Sequence, residues 1–276
     1  MAAAEPVTRS RLAVWGDPIA HSRSPQLHAA AYAVLGLDWT YERRQVSADG
    51  FSAALGELDA SWRGLSLTMP LKEQAFRAAS AHDRHAELTG AVNTLLLGTR
   101  HAGFNTDVGG IVDALAEGGI ETVERVRILG AGATAASALV AAAEIGAHRA
   151  EVLARRPGRA AALVGLGERL GMGVDVVSFE DPRATVDLTI ATLPSGTALP
   201  LATAKQLAQT GGALFDAAYA PWPSALAASW GDAPVVSGLG MLLHQAVRQI
   251  RIFAHGDPGA ALPQEERVLS AMRDAL

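Results

Sequence analysis

A strand-like run, Val126–Leu129, opens directly into Gly130-Ala131-Gly132-Ala133-Thr134-Ala135, and an Ala-rich helical segment follows. No other feature limits the fold of this chain as much. A G-x-G-x-x-G/A pattern between a strand and a helix serves the tight turn of a βαβ unit. Gly130 permits the turn, Gly132 lets a backbone approach a pyrophosphate, and Ala135 is small enough for close helix–strand packing. The N–H groups at the start of the helix, from Ala133 on, then face an anion. The same rhythm continues on both sides. Strands are predicted at Ala150–Leu153, Val174–Val177, Val186–Ala191 and Ala213–Ala217. Helices are predicted near Val108–Glu117, Ala133–Ile145, Arg159–Leu170 and Thr203–Ala208. Strands alternating with helices at this spacing predict a parallel sheet covered on both faces, a Rossmann-type dinucleotide-binding domain.

The second strand of that unit bears on which dinucleotide. An NAD site usually shows an acidic residue ~20 residues on, for the ribose 2′-OH. Here the strand ends Leu153-Ala154-Arg155-Arg156-Pro157-Gly158-Arg159, with three arginines and no carboxylate. A solvated cluster is the plain alternative in an Arg-rich chain. Guanidinium forks nevertheless suit a 2′-phosphate, so Arg155, Arg156 and Arg159 point to NADP.

The part before Asp107 alternates less regularly. Arg11–Trp15, Trp39–Val46 and Gly64–Thr68 read as strands. Ser24–Leu35, Phe51–Leu58 and Leu71–Ala79 read as helices, the first opened by Ser24 as cap and Pro25. Leu95–Leu97 and Ala102–Phe104 flank a turn like a hairpin, and Leu239–Phe253 and Gln264–Met272 read as closing helices. A length of 276 residues favours two domains. With 49% hydrophobic and 18% charged residues, the chain can bury a sizeable core. Its net charge of −5 argues against general binding to nucleic acid or membrane surfaces. The absence of cysteine excludes disulfides, thiolate metal sites and cysteine nucleophiles. His28, His82, His85 and His244 follow no metal motif, so no metal is expected. No apolar run approaches the ~20 residues that span a bilayer. Met1–Arg11 carries no secretory apolar region. These features predict a soluble cytoplasmic protein.

Polar clusters stand where predicted strands end or helices begin, the places where substrates are commonly bound. They are Gly16–His28, Ser66–Lys72, Gly90–Thr94, Gly103–Asp107, Asp216–Pro223 and Gly238–Gln245. One count singles out a residue among them. The 23 basic residues are 21 Arg and only Lys72 and Lys205, so a lysine retained at position 72 points to amine chemistry. An amine paired with a carboxylate can share a transferable proton, which a guanidinium does not release.

In this order and spacing the clusters resemble the shikimate dehydrogenase family, from about Val14 to Phe253. The carriers are Ser22-Arg23-Ser24-Pro25, Thr68-Met69-Pro70-Leu71-Lys72, Ala91-Val92-Asn93-Thr94, Asn105-Thr106-Asp107 and Gly240-Met241-Leu242 with Gln245. The resemblance implies a substrate domain, 1–106 with 238–276, and an NADP-binding Rossmann domain, 107–237. It implies that Ser22 and Ser24 bind a carboxylate with Tyr219 nearby, and that Thr68, Asn93 and Gln245 hold ring hydroxyls. Lys72 and Asp107 would form the catalytic pair. Thr192, Gly238 and Met241 would lie by the cofactor. The implied activity is NADP-dependent interconversion of shikimate and 3-dehydroshikimate. Quinate or an aminated analogue is the nearest alternative, and a non-catalytic sensor a more distant one. The chain departs from the family pattern at Ala29 and Ser66, where Asn is usual. It departs also at the Ala154–Arg156 strand tip, at Ile190–Pro194, and at Ile250 and Phe253.

Overall fold

The computed structural model describes residues 10 to 276, except the side chains of Pro157 and Arg159. The reading of Met1–Arg11 therefore falls, apart from Ser10 and Arg11, outside the described residues, as does the side chain of Arg159. The chain folds as two compact units. One is the chain up to Thr106 with Ala246–Leu276, and the other is Asp107–Gln245. The second division falls inside a long helix, whereas the family resemblance implies one before Gly238.

The first unit runs β1 (Arg11–Gly16), α1 (Ser24–Leu35), β2 (Thr40–Gln45), α2 (Phe51–Gly56), β3 (Trp62–Leu67) and α3 (Lys72–Ala78). It continues through β4 (Ala81–His82), α4 (Arg84–Thr89), β5 (Thr94–Leu96) and β6 (Ala102–Phe104). Its sheet has the order β2-β1-β3-β5-β6-β4. β1 is parallel to β2 and β3, and the β5–β6 hairpin runs antiparallel to β3. β1 reads almost continuously buried, as expected of a strand covered on both faces. Trp15, Leu65, Leu71 and Leu95 fill the core beneath it. The sequence did not indicate β4 and α4. Asp83 caps α4, accepting from the Ala86 N–H at 2.7 Å, and Gly90 closes it in the left-handed conformation.

The second unit runs α5 (Asp107–Glu117), β7 (Arg125–Leu129), α6 (Ala133–Glu144), β8 (Arg149–Leu153), α7 (Ala161–Leu170) and β9 (Gly173–Val177). β10 (Leu188–Ala191), α8 (Leu201–Thr210), β11 (Ala213–Asp216) and β12 (Val235–Ser237) follow. All of its strand pairs are parallel, in the order β12-β11-β10-β7-β8-β9. The chain builds outward from β7 to β9, then returns to lay β10 on the other side of β7. That reversal makes a switch point between β7 and β10, the crevice where open α/β sheets bind ligands. Two helices close the chain, α9 (Gly238–His255) and α10 (Glu265–Asp274). Among the described residues no helix is long and apolar enough to cross a membrane.

Candidate active site

The nucleotide turn follows from local geometry. Gly130 stands at φ +119°, a conformation that side chains rarely adopt, and a Cβ there would lie 2.5 Å from the Thr192 hydroxyl oxygen. Its N–H donates to the Leu153 carbonyl at 2.9 Å, which ties the turn after β7 to the end of β8. Thr192, at the end of β10, donates from its backbone N–H and from its hydroxyl to the Leu129 carbonyl, each at 2.9 Å. It thereby braces the turn from across the switch point.

Gly132 is exposed, extended, and caps α6 without a side-chain hydrogen bond. A Cβ there would meet nothing within 4 Å, so the space over the helix start is open to an anion. Ala133 is half-buried and Ala135 fully buried against the sheet. Arg155 and Arg156 are exposed just beyond β8. These residues fit a phosphorylated dinucleotide: open N–H groups for the pyrophosphate, and guanidinium groups one strand away.

In the first unit, the ends of β1, β3 and β6 and the start of β5 meet at one edge of the sheet. Ser66 on β3 pairs with Thr94 on β5, and Thr94 with Phe104 on β6. Loop bonds tighten this edge. Thr68 N–H donates to the Trp15 carbonyl at 2.9 Å, and Val92 N–H to the Lys72 carbonyl at 2.9 Å. Ser22, Thr68 and Lys72 are half-buried there, and Ser24 and Asn93 buried. The structure thus gathers Ser22, Ser24, Thr68, Lys72 and Asn93 at one edge.

The expected cap of α1 is corrected. Arg23, in a helical conformation, occupies the cap position without a side-chain bond, and Ser24 is the first helical residue. The Ser24 side chain instead bonds the Tyr41 hydroxyl. Behind the edge lies a continuous buried chain of polar groups. Tyr41 donates to Ser66 Oγ at 2.6 Å, and Ser66 donates to Gln249 Oε1 at 2.9 Å. Gln249 Nε2 donates to Thr94 Oγ1 at 3.1 Å and to the Asn93 carbonyl at 3.3 Å. Thr94 donates to Asn93 Oδ1 at 2.9 Å, and Asn93 Nδ2 to Thr106 Oγ1 at 2.9 Å. His28 is fully buried, stacks on Tyr41 at 3.8 Å and contacts Gln249 Oε1 at 3.3 Å. Burial pushes its pKa down to about 3, against a smaller rise from the Gln249 bond. Burial likewise drives the Tyr41 hydroxyl up, although its bonds to Ser66 and Ser24 oppose this.

The other expected residues belong to the second unit. Asp107 opens α5 and is 4% exposed; it directly follows Thr106, which Asn93 Oδ1 holds through the Thr106 N–H at 2.9 Å. Tyr219 is half-buried in the loop after β11. Asp216 shapes that loop by accepting from Ala218 N–H at 3.0 Å and from the Ser224 hydroxyl. Burial raises the Asp216 pKa against those two bonds. Gly238, Met241 and Gln245 lie along the first turns of α9, and Gln245 Nε2 donates to the Leu242 carbonyl at 2.9 Å. Among the described residues, no group of three or more His, Asp or Glu side chains is arranged to hold a metal ion.

Residues 14–95 match the family model of the shikimate dehydrogenase substrate binding domain. An NADP(+) shikimate dehydrogenase of Thermus thermophilus is 35% identical, over 96% of this chain and 98% of its own length. The chain belongs to the shikimate dehydrogenase family. A shikimate dehydrogenase of Methylobacterium radiotolerans is 37% identical over 87% of this chain and 90% of its own. The crystal structure of the Mycobacterium tuberculosis shikimate dehydrogenase superposes with a TM-score of 0.84 at 38% identity, covering 96% of this chain and 99% of that one. A Thermus thermophilus shikimate 5-dehydrogenase, solved in complex with NADP(H) and shikimate, gives a TM-score of 0.80 at 32% identity, covering 97% and 100%.

Within this family fold, sequence reasoning missed Tyr41, Gln249 and the role of His28. Gln249 follows Gln245 by one helical turn, on the buried side of α9 that also carries Phe253. A polar residue recurring on an otherwise apolar helical stripe was the available signal.

Proposed function

We propose that this protein catalyses the reversible NADP-dependent oxidation of shikimate to 3-dehydroshikimate, in the cytoplasm, as a monomer or homodimer. The observation that carries the reading is the gathering of Ser22, Ser24, Thr68, Lys72 and Asn93 at one edge of the first unit's sheet. Membership of a family whose curated relatives are NADP(+) shikimate dehydrogenases supports it.

Ser22 and Ser24, two residues apart at the start of α1, offer hydroxyl donors to the substrate carboxylate. Thr68, Asn93 and Gln245 bind ring hydroxyls, and Tyr219 lies by the carboxylate. Lys72 and Asp107 hold the reacting hydroxyl and take its proton as the alcohol becomes a ketone, a role that needs groups able to exchange protons. Bound NADP supplies the acceptor for the hydride from the ring carbon. The Gly130–Ala135 turn, braced by Thr192, holds its pyrophosphate, and Arg155, Arg156 and Arg159 its 2′-phosphate. Gly238 and Met241 lie at the nicotinamide end.

Shikimate, quinate and aminoshikimate, each with NADP or NAD, are assayed by absorbance of the reduced nicotinamide. Shikimate with NADP is expected to be the best pair. Lys72→Ala should lower turnover about 10²–10⁴-fold, the range of general acid–base groups, with less effect on substrate affinity. Near-normal turnover in that variant would remove Lys72 from the chemistry, and preference for quinate with NAD would replace the substrate reading.

A further inference from the structure

The buried chain behind Ser24 and Asn93 has no part in the reaction steps above, yet it joins the group assigned to the carboxylate to one assigned to ring hydroxyls. Gln249 is where it branches. The residue is 2% exposed, and a buried amide is costly unless its donors and acceptors are met. Its orientation is determined by its partners. The Asn93 carbonyl accepts only, and already receives the Leu67 N–H at 2.7 Å, so the Gln249 NH2 must face it. Oε1 must then face Ser66 and His28. His28 consequently carries its proton on Nε2, and the Tyr32 hydroxyl, 3.0 Å away, donates to Nδ1. Each neighbour leaves the amide one orientation, and the amide in turn holds Ser66, Thr94 and the Asn93 backbone.

We propose that Gln249 is a positioning residue for substrate binding, and that its amide sets the spacing between Ser24, through Ser66 and Tyr41, and Asn93. The inference rests on the reading that Ser24 and Asn93 bind shikimate. Ser66 and Thr94 are paired across β3 and β5, and the amide reaching in from α9 adds a side-chain link between their hydroxyls.

The test compares Gln249→Met, Tyr41→Phe and the double variant. Gln249→Met keeps the volume and removes every polar contact. Tyr41→Phe keeps the ring on His28 and removes only the hydroxyl. Losing a hydrogen-bonded connection of ordinary strength should raise the shikimate KM roughly three- to tenfold in each single variant. The calorimetric Kd for shikimate alone should rise in parallel. The NADP KM and kcat should stay within about twofold, since ground-state binding is what changes. Because both changes act through one chain, the double variant should weaken binding by less than the product of the singles. A merely structural role would lower the melting temperature and active fraction and leave KM and Kd unchanged; that result, or independent multiplication of the two effects, overturns the proposal. If Gln249→Met does not fold, an unchanged Kd in Tyr41→Phe overturns it alone, and a raised one supports it. Wild-type protein that neither binds nor oxidises shikimate would sink the functional reading and this inference with it.

Discussion

The two units bury polar groups in opposite ways. In the first unit the buried groups are neutral: an imidazole, two phenols, three amides and several hydroxyls. They stand directly behind the edge that carries Ser24 and Asn93. The second unit buries, besides neutral groups such as Ser137 and Thr189, a charged pair. Arg127 on β7 is fully buried and pairs with Glu151 on β8 at 2.7 Å. Its guanidinium also donates to Thr210 Oγ1 at 3.1 Å, to the Leu207 carbonyl at 3.3 Å and to the Ala184 carbonyl. Glu151 Oε1 accepts from the N–H groups of Arg183 and Ala184, at 2.6 and 2.9 Å. These partners precede β10 and end α8, so the pair staples the end of the sheet opposite the glycine turn. This pair is thus buried away from the nucleotide crevice, where only one arrangement is needed. Behind Ser24 and Asn93 the protein uses neutral contacts, which cost less to desolvate than a buried ion pair.

The sharpest test of this contrast is Glu151→Ala. Removing one partner leaves an uncompensated buried guanidinium and two backbone N–H groups without acceptors, and should cost about 3–5 kcal/mol in urea unfolding. The folded variant should keep its shikimate KM, because the neutral chain belongs to the other unit. A cost below ~1 kcal/mol would show that the pair holds nothing, and a changed KM would break the division between the two networks.

A smaller, pH-dependent effect is expected at His28. Its folded pKa lies below the unfolded value, so the unfolded chain binds the proton more readily. The stabilising contribution is full above pH 6.5 and is lost as pH falls from there towards about 3. The loss should approach ~1.4 kcal/mol per pH unit within that window. His28→Gln should remove this one-proton slope while lowering stability at neutral pH. Equal slopes in the two proteins would mean that His28 is not held neutral.

The smallest effect is expected at Asp83, which caps α4 and also accepts from the Asn105 N–H at 3.1 Å. Burial raises its pKa against the bonds from Ala86 and Asn105 and the nearby His85 and His82. The sign is opposite to that of His28: the folded state holds the proton more tightly, so ionisation of Asp83 lowers stability as pH rises through the raised pKa. Both N–H groups bind the same oxygen, which Asn retains. Asp83→Asn should therefore change stability by less than ~0.5 kcal/mol at neutral pH, whereas Asp83→Ala should lose ~1 kcal/mol of capping. Thermal melts of the two variants at pH 7 separate these outcomes. A large loss in the Asn variant would show that the charge itself is required.

Local sequence was enough for features whose physics is local. The parallel sheet was legible because strands and helices of ordinary length alternate, and the nucleotide turn because Gly130 needs a conformation and a closeness that glycine alone tolerates. Pro25 marked the start of α1 for the same reason. By contrast, Ala81–His82 is too short a strand to show a period, and the six residues of α4 show their cap but no apolar face. Ser24 carried a capping residue's chemistry, yet a partner seventeen places away, Tyr41, took its hydroxyl.

By itself the sequence determined the class of fold and the place of the glycine turn, since each follows from residue type and near-neighbour spacing. The tertiary structure alone decided which buried polar groups meet. Nothing near Arg127 in the sequence names its partner; the register of β7 on β8 sets it opposite Glu151. Nothing near Gln249 in the sequence names its partners; the return of α9 to the first unit places its amide against Ser66 of β3 and Thr94 of β5. Such partners lie far apart along the chain, and hydrogen bonding between them depends on the strand register and helix placement that only packing of the whole chain fixes.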